Sequence, residues 1–238
     1  MIDDLILKPG ERGIYIGQTG SGKTRGAMYQ LQQNPIWPII VFDTKGENAF
    51  EELPLNKDET IDIVDSMAAF IKKWPRKIEA DYTIVRPDGD EMATPFGVMN
   101  DGLRKIESQA MPCLLYFDEL YQWHEGGRAG SGLIGILTRG RSKGIATAMS
   151  TQRPSFVSRF CFTESQKFFF YKLQDKRDKK TIGEFVPGAD ELRFEKPFSW
   201  FFSDNSAYGK GIQAMKPVPI LEFIGDAENV VDAAKIFI

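Results

Sequence analysis

The stretch Gly17-Gln18-Thr19-Gly20-Ser21-Gly22-Lys23-Thr24 fits the phosphate-loop pattern G-x-x-x-x-G-K-[ST] at every fixed position. Residues 13–16 before it predict a short buried strand, and residues 25–31 after it predict a helix. Glycines let the backbone approach phosphate oxygens closely, and a helix N-terminus directs its N–H groups at an anion. The sequence therefore predicts that this loop, through all eight of its residues, binds a nucleoside triphosphate.

The last two residues of the loop have predicted chemical roles. We expect the Lys23 ammonium group to contact the β- and γ-phosphates and the Thr24 hydroxyl to coordinate Mg²⁺. ATP and Mg²⁺ are therefore the predicted cofactors.

A second chemical signature lies about a hundred residues further along the chain. Residues 111–117 form an apolar run that predicts a buried strand, and Asp118 and Glu119 follow it directly. In P-loop ATPases, carboxylates at such a strand end bind the metal ion and activate the attacking water. We expect Asp118 to bind Mg²⁺ through its water shell and Glu119 to orient and deprotonate the water.

The composition bounds the fold and several classes of function. The chain has 238 residues and is 42% hydrophobic, enough for one α/β core with an appendage. We assign residues 1–190 to a core and residues 191–238 to a C-terminal hairpin and tail packed on it. The formal net charge of −3 excludes the overall basic field of a free-standing nucleic-acid binder. Binding of DNA would then need a local basic patch or a ring that gathers one from several subunits.

The cysteine and histidine content argues against a zinc site. The chain contains two cysteines, Cys113 and Cys161, in apolar surroundings, and a single histidine, His124. We expect the cysteines to be buried in a protein of a reducing compartment. The N-terminus lacks a secretion-signal pattern, and the longest apolar runs are too short to cross a bilayer. We therefore expect a soluble protein without a transmembrane segment.

The remaining pattern predicts alternating strands and helices. Such alternation predicts an α/β fold with a mainly parallel sheet flanked by helices, plus a small C-terminal β-hairpin and helical appendage. We expect residues 125–132 to form a flexible glycine-rich loop and residues 198–210 to form the hairpin. The other predicted segments are strands at 39–42, 82–87, 145–152 and 167–173, helices at 61–74 and 133–142, a segment at 92–108 that is helical in its later part, and an amphipathic tail at 229–238.

Two polar residues at predicted strand ends have two interpretations each. Asp43 follows a predicted strand and is either a helix cap or a site residue. Gln152 precedes Pro154 and is either a turn residue or a side chain that hydrogen-bonds the γ-phosphate or the water.

Two groups of basic residues also have two interpretations each. Arg139 and Arg141 lie near a predicted helix C-terminus, where cations are favourable, but either could instead be an arginine finger that reaches a neighbouring subunit's γ-phosphate. The basic residues within 174–180 are a solvated helix start or a nucleic-acid contact.

Taken in order, the motifs resemble one superfamily. The phosphate loop, Phe117-Asp118-Glu119, Gly140-Arg141-Ser142-Lys143-Gly144-Ile145 and Ser150-Thr151-Gln152-Arg153-Pro154 resemble the FtsK/HerA superfamily of DNA-pumping ATPases. The stretch Asp43-Thr44-Lys45-Gly46-Glu47 is similar to the Asp-x-Lys-Gly-Glu stretch of conjugative coupling proteins. The resemblance covers residues 13–154, and the last third carries no motif of the family.

The compact length is similar to that of the genome-packaging ATPases of tailless icosahedral viruses with an internal membrane. This resemblance implies a P-loop NTPase (RecA-like) fold and a homo-oligomeric, hexameric ring that hydrolyses ATP between subunits and threads double-stranded DNA into a preformed capsid. It implies partners at the capsid vertex or in a packaging complex, in the host cytoplasm or the virion. It implies that Lys23 binds phosphate, that Thr24 and Asp118 bind Mg²⁺, and that Glu119 activates the water. It also implies that Gln152 is a sensor and that Arg141, or else Arg139, contacts the nucleotide of a neighbouring subunit.

Two other functions fit part of the pattern. One is an assembly ATPase of the filamentous-phage toxin-like kind, but those proteins normally carry a membrane-spanning helix. The other is a nucleotide-dependent switch that orders a partner interface without translocation. A base such as Glu119 and a pair of arginines argue against a switch, which needs no fast hydrolysis.

Overall fold

A nine-stranded sheet places the phosphate loop and the predicted carboxylates together at the carboxyl ends of its central parallel strands. The computed structural model describes residues 2–36, 38–46, 48–53, 58–93, 97–125, 127–206 and 211–218. The strands are β1 (Arg12–Ile16), β2 (Ile39–Phe42), β3 (Ile61–Val64), β4 (Tyr82–Val85), β5 (Cys113–Phe117), β6 (His124–Glu125), β7 (Arg128–Ala129), β8 (Ile145–Thr151), β9 (Lys167–Phe170), β10 (Trp200–Asp204) and β11 (Gln213–Met215).

Helices cover both faces of this sheet. The α-helices are α1 (Ile2–Leu5), α2 (Lys23–Gln32), α3 (Met67–Lys73), α4 (Gly89–Ala93), α5 (Val98–Gln109), α6 (Ser131–Arg139), α7 (Arg159–Thr163) and α8 (Lys176–Gly183). Ile14 of β1 belongs to a core cluster with Met67 of α3, Leu103 of α5 and Ile136 of α6, whereas the neighbouring Tyr15 belongs to a cluster with residues of α2. This alternation along one strand follows from the two-residue period of β-structure.

The sheet order is β11-β10-β9-β1-β8-β5-β2-β4-β3. The seven strands from β9 to β3 in this order are parallel to one another, and β10 is antiparallel to both β9 and β11. The predicted α/β fold with a mainly parallel sheet and a C-terminal hairpin is therefore confirmed. Strands β1, β2, β5 and β8 are buried along their whole length, as expected of parallel strands covered on both faces.

The strand order decides which side chains meet. Strand β8 lies between β1, which leads into the phosphate loop, and β5, which leads into the carboxylates. Because parallel strands end at the same edge, the residues after β1, β2, β5, β8 and β9 converge there.

One predicted helix is instead a strand followed by a shorter helix. The prediction for residues 61–74 is wrong for its first part, where β3 pairs in parallel with β4. The Ser66 hydroxyl accepts the Ala69 N–H (3.0 Å) and begins α3 at Met67. The apolar residues of β3 and α3 together recur at helical spacing. This spacing outweighed the strand preference of the β-branched residues before Ser66 in the prediction.

Two loop predictions also need correction. The glycine-rich loop predicted at 125–132 contains the antiparallel pair β6–β7, and α6 already begins at Ser131. The partner of β10 in the C-terminal hairpin is β11, whereas the predicted second strand included residues 207–210, which lie outside the described residues. The predicted tail at 229–238 also lies outside them.

One expectation from composition, the burial of both cysteines, agrees with the structure. Cys113 and Cys161 are buried and unpaired, as predicted. Across the described ranges, every helix is too short or too polar to span a bilayer.

A close contact between α2 and Tyr171 gives a stability prediction. A Cβ atom on Gly26 would lie 1.7 Å from the Tyr171 hydroxyl oxygen, and Tyr171 is buried. We expect Gly26→Ala to lower the free energy of unfolding by about 1–3 kcal/mol through overpacking, although alanine is the better helix former. Chemical denaturation measures this change.

The control for this prediction is Gly89→Ala at the start of α4, where nothing lies within 4 Å of the added Cβ. We expect that variant to keep or gain stability. Adding Tyr171→Phe to the Gly26 variant should recover part of the loss, because the clashing hydroxyl makes no hydrogen bond within the described residues. If the Gly26→Ala protein is as stable as the native one, α2 can shift away from Tyr171 without lowering the free energy of unfolding.

Candidate active site

The phosphate loop is anchored to the ends of two neighbouring strands. The Gly17 N–H donates to the carbonyl of Thr151, the last residue of β8 (3.2 Å), and the Gln18 N–H donates to the Lys172 carbonyl after β9 (2.9 Å). Gly22 has a φ of 91°, in the left-handed region that favours glycine, and the helix α2 begins at the next residue. The loop thus presents the N-terminus of α2 to the site, the geometry that binds phosphate.

The contacts of Gly17 and Ser21 show how closely the loop is packed. A Cβ atom on Gly17 would lie 2.5 Å from the Tyr171 Cβ, so only glycine fits there. The Ser21 hydroxyl is buried and makes no hydrogen bond within the described part of the chain. An orphaned hydroxyl and a tight backbone cradle both fit a bound phosphate group.

Lys23 lies inside the site and contacts two neighbouring strands. Its ammonium group donates to the Ser150 hydroxyl of β8 and lies 3.6 Å from the Glu119 carboxylate. Burial lowers the pKa of Lys23, and the nearby Glu119 and Asp118 charges oppose that shift. The predicted phosphate ligand is therefore held by the Ser150 hydroxyl and the Glu119 carboxylate in this structure.

Asp118 and Glu119 are fully buried at the end of β5. Glu119 has a φ of 48°, a left-handed conformation that is uncommon for a residue other than glycine. The Asp118 N–H donates to the Phe42 carbonyl (3.1 Å), and its own carbonyl accepts the Thr44 hydroxyl (3.2 Å). Strained backbone of this kind is concentrated at functional sites, where the surrounding structure maintains it.

The Glu119 carboxylate is the centre of a polar network. It accepts hydrogen bonds from the Lys45 ammonium (2.7 Å) and from the Gln152 side-chain amide, while the Gln152 backbone N–H lies 3.4 Å away. Burial raises the pKa of Glu119, but Lys23, Lys45 and Gln152 together hold it below its ordinary value. The side chain is thus a carboxylate near neutral pH, the form that a general base requires.

Gln152 also contacts the phosphate loop. Its side-chain oxygen accepts the hydroxyl of Thr19, so one amide joins the loop to Glu119. The structure thus brings this predicted sensor to the carboxylate. Its role as a sensor remains a prediction.

The prediction missed Lys45, which bridges both carboxylates. Its ammonium group lies 2.7 Å from Glu119 and 3.8 Å from Asp118. Asp43 positions it: one carboxylate oxygen accepts the N–H groups of Lys45 (3.2 Å) and Gly46 (2.9 Å), and the other accepts Arg86 (3.1 Å). Asp43 therefore holds a turn and is not a helix cap. The Asp-x-Lys-Gly-Glu stretch was the available signal for Lys45.

The side chains predicted to bind Mg²⁺ lie at this same edge of the sheet. Thr24 is in the first turn of α2, next to Lys23, and Asp118 is at the end of β5. The described residues contain no group of three or more His, Cys, Asp or Glu side chains that could hold a metal ion unaided. A hydroxyl and a carboxylate suit an ion whose other ligands are phosphate oxygens and water, as is usual for Mg²⁺.

Arg139 and Arg141 lie away from this site. They flank the amino end of β8, whereas Gln152 follows its carboxyl end, and a seven-residue strand spans about 20 Å. Arg139 donates to both Glu107 oxygens (3.1 and 3.0 Å). The Arg141 side chain is exposed and makes no hydrogen bond or ion pair with any residue that the structure describes. Neither arginine can serve its own chain's site from this position.

The Glu107 cluster gives a pH prediction. Hydrogen bonds from Arg139 and then from Lys143 lower the pKa of Glu107 to about 2. A lowered pKa in the folded state adds stability above the ordinary glutamate value of about 4.5, and that gain is lost as the pH falls towards 2. We therefore expect the native protein to be more stable than Glu107→Gln at pH 7, by about 1 kcal/mol, and the difference to shrink below pH 4.5.

Denaturation of both proteins between pH 7 and pH 3 measures this difference. Glu79→Gln is a suitable control, because the Glu79 side chain is exposed and makes no hydrogen bond or ion pair with any described residue. A difference that stays constant over the whole range would contradict the ion-pair explanation.

Comparison with known proteins places the chain in a family. No family model matches the sequence. The chain is 30% identical over 195 residues to the DNA packaging ATPase P9 of Enterobacteria phage PRD1, covering 79% of this chain and 75% of that protein. This similarity confirms the predicted FtsK/HerA-type ATPase.

Solved structures support the fold. The genome packaging NTPase B204 of Sulfolobus turreted icosahedral virus 2, in complex with ATPγS, matches with a TM-score of 0.68 and 14% identity, covering 90% of this chain and all of that one. The cytoplasmic domain of the type VII secretion ATPase EccC of Thermomonospora curvata matches with a TM-score of 0.61 and 13% identity, covering 90% of this chain and 26% of that one. The RecA-like P-loop fold is therefore confirmed, and the chain belongs to the family of the DNA packaging ATPase P9.

Proposed function

We propose that this protein is an ATP-driven translocase that packages double-stranded DNA into a preformed viral capsid. The observation that carries the proposal is the buried Glu119 carboxylate, held by Lys45 and Gln152 at the edge of a complete phosphate loop. A binding module needs the loop alone, whereas a positioned carboxylate base serves hydrolysis. Membership of the P9 family supports the choice of DNA packaging over the filamentous-phage assembly alternative.

In the proposed reaction, the loop and the N-terminus of α2 bind the triphosphate, and Lys23 moves from Glu119 to the phosphates. Thr24 and Asp118 would hold Mg²⁺, which supplies charge neutralisation at the phosphates. Glu119 orients the attacking water and accepts its proton. Gln152 contacts both the loop and Glu119, so its hydrogen bonds report the state of the nucleotide.

We further propose that the site is completed by a neighbouring subunit in a homo-oligomeric, hexameric ring. Arg141 is exposed and lies at the far edge of the sheet, so it can reach only another chain's phosphate. Within this ring, residues 1–190 form the motor core and residues 191–238 the hairpin and tail. The ring would act with capsid-vertex or packaging-complex proteins, in the host cytoplasm or on the virion.

DNA would be gripped through its phosphates, independently of sequence. The overall charge of −3 is compatible with this grip if basic residues of several subunits face the central channel. The helix α8, which carries Lys176, Arg177, Lys179 and Lys180, is one source of such residues.

The proposal is tested by steady-state ATP hydrolysis with and without linear double-stranded DNA. We expect DNA of any sequence to raise the rate and the effect to weaken steeply with added salt. Tight ATP binding without turnover, in the presence or absence of DNA, would favour the nucleotide-dependent switch. Stimulation by one DNA sequence alone would contradict a grip through phosphates.

A further inference from the structure

A cavity of about 480 Å³ extends from the phosphate loop to the C-terminal hairpin. Its lining falls into two chemically different sets. One set is polar and belongs to the loop and the carboxylate network. The other set consists of Tyr171, Phe198, Pro217 and Val218, and none of these residues belongs to the phosphate-binding machinery.

Phe198 has two features that packing does not explain. Its side chain is 60% exposed, the largest exposed fraction among the large hydrophobic residues in the described part of the chain. Its backbone has a φ of 57°, a left-handed conformation that is a genuine outlier for a bulky residue. Both features cost free energy in the isolated chain, and such outliers are concentrated at ligand sites.

The ring of Phe198 lies against the phosphate loop. A Cβ atom placed on Gly22 would lie 3.2 Å from the Phe198 Cδ1 atom, which is tighter than an ordinary contact. Gly22 directly precedes Lys23, the predicted phosphate ligand. A group bound beside the Phe198 ring would therefore lie within a few ångströms of the triphosphate site.

The rest of the apolar set is held in place by the hairpin. The Tyr171 ring stacks on the Trp200 ring, with centroids 5.9 Å apart and an interplanar angle of 12°. The Trp200 indole N–H donates to the Lys216 carbonyl (2.7 Å), which fixes the segment that continues into Pro217 and Val218. Strand pairing between β10 and β11 thus positions the walls of the cavity.

We propose that Phe198, with Tyr171, Pro217 and Val218, forms the slot for the base of the bound nucleotide. The proposal rests on the proposed ATP binding and adds the part of the site that recognises the base. An exposed aromatic face next to a phosphate loop suits a planar heterocycle, and stacking of a base on an aromatic side chain is tolerant of base identity. Phe198 would therefore contribute to binding both ATP and GTP.

The test compares Phe198→Ala with the native 238-residue chain in three binding measurements, with ATP, GTP and inorganic tripolyphosphate, each with Mg²⁺. We expect the variant to bind ATP and GTP about 5- to 150-fold more weakly, because stacking of one base is worth about 1–3 kcal/mol. Tripolyphosphate has no base, so its affinity should not change. Phe198→Trp should restore the binding of both nucleotides.

Phe156→Ala is the matched control, since Phe156 is 46% exposed and does not line the cavity. We expect it to bind all three ligands like the native chain. The slot is contradicted if Phe198→Ala binds ATP within twofold of the native affinity, or if it weakens tripolyphosphate as much as ATP. A native chain that binds neither ATP nor tripolyphosphate would instead contradict the proposed function itself.

Discussion

Replacing Glu119 by glutamine is expected to lower the rate of ATP hydrolysis by about 10²- to 10⁴-fold while ATP still binds. Glutamine has the same shape and keeps an oxygen that can accept the hydrogen bond from Lys45. It cannot accept a proton from the attacking water. The change therefore removes the proposed base and leaves the phosphate loop, which makes the main contacts to the triphosphate, in place.

Single-turnover hydrolysis and ATP binding should be measured on the same preparation. Glu107→Gln is the matched control, because Glu107 also interacts with two cationic side chains but lies beside α6, away from the phosphate loop. We expect that control to lose some stability and to keep its turnover. A Glu119→Gln protein that retains a tenth or more of the native rate would eliminate Glu119 as the base.

The second large effect is expected at Arg141. If its guanidinium neutralises charge on the neighbouring subunit's γ-phosphate, Arg141→Ala should lower turnover by about 10³-fold or more. Because the Arg141 guanidinium is exposed and makes no hydrogen bond or ion pair within the described residues, the variant should unfold at the native temperature. Arg139→Ala should behave in the opposite way, with a small loss of stability from its broken contact with Glu107 and little loss of turnover.

Mixing two inactive variants tests whether Arg141 acts in trans. In a mixed ring, an Arg141→Ala subunit has an intact Glu119 and can receive the arginine of a neighbouring Glu119→Gln subunit. We therefore expect hydrolysis to reappear in mixtures of the two variants. If mixtures stay inactive although the subunits assemble together, Arg141 does not act across the interface. Loss of turnover in Arg139→Ala alone would move the role to Arg139.

The phosphate loop and the carboxylate pair could be predicted because their signals are local. Gly17 to Thr24 form one continuous pattern, and Asp118 and Glu119 directly follow an apolar strand. The error at residues 61–74 also arose from local reasoning, since β3 is defined by its pairing with β4 and not by its own pattern. Where strand pairing decides the structure, periodicity within one segment is insufficient.

Lys45 and Phe198 show what sequence reasoning could not reach. Lys45 contacts Glu119, 74 residues further along the chain, because β2 and β5 are neighbours in the sheet. Phe198 lies beside Gly22 because β10 and β9 extend the sheet on the other side of β1. A C-terminal hairpin was predicted, although with a different second strand, but its position next to the nucleotide site depends on strand order, which the sequence pattern does not encode.

The contacts of Lys45 and Lys23 with Asp118 and Glu119 make the site electrically balanced before nucleotide binds, with two ammonium groups against two carboxylates. MgATP is an anion overall, so its arrival leaves excess negative charge at the carboxyl ends of the strands. A subunit loaded with ATP would then attract a cation from outside the chain, and one that has released phosphate would attract it less. If the chains assemble into the proposed ring, association between subunits should accordingly rise and fall with the hydrolysis cycle and weaken with salt.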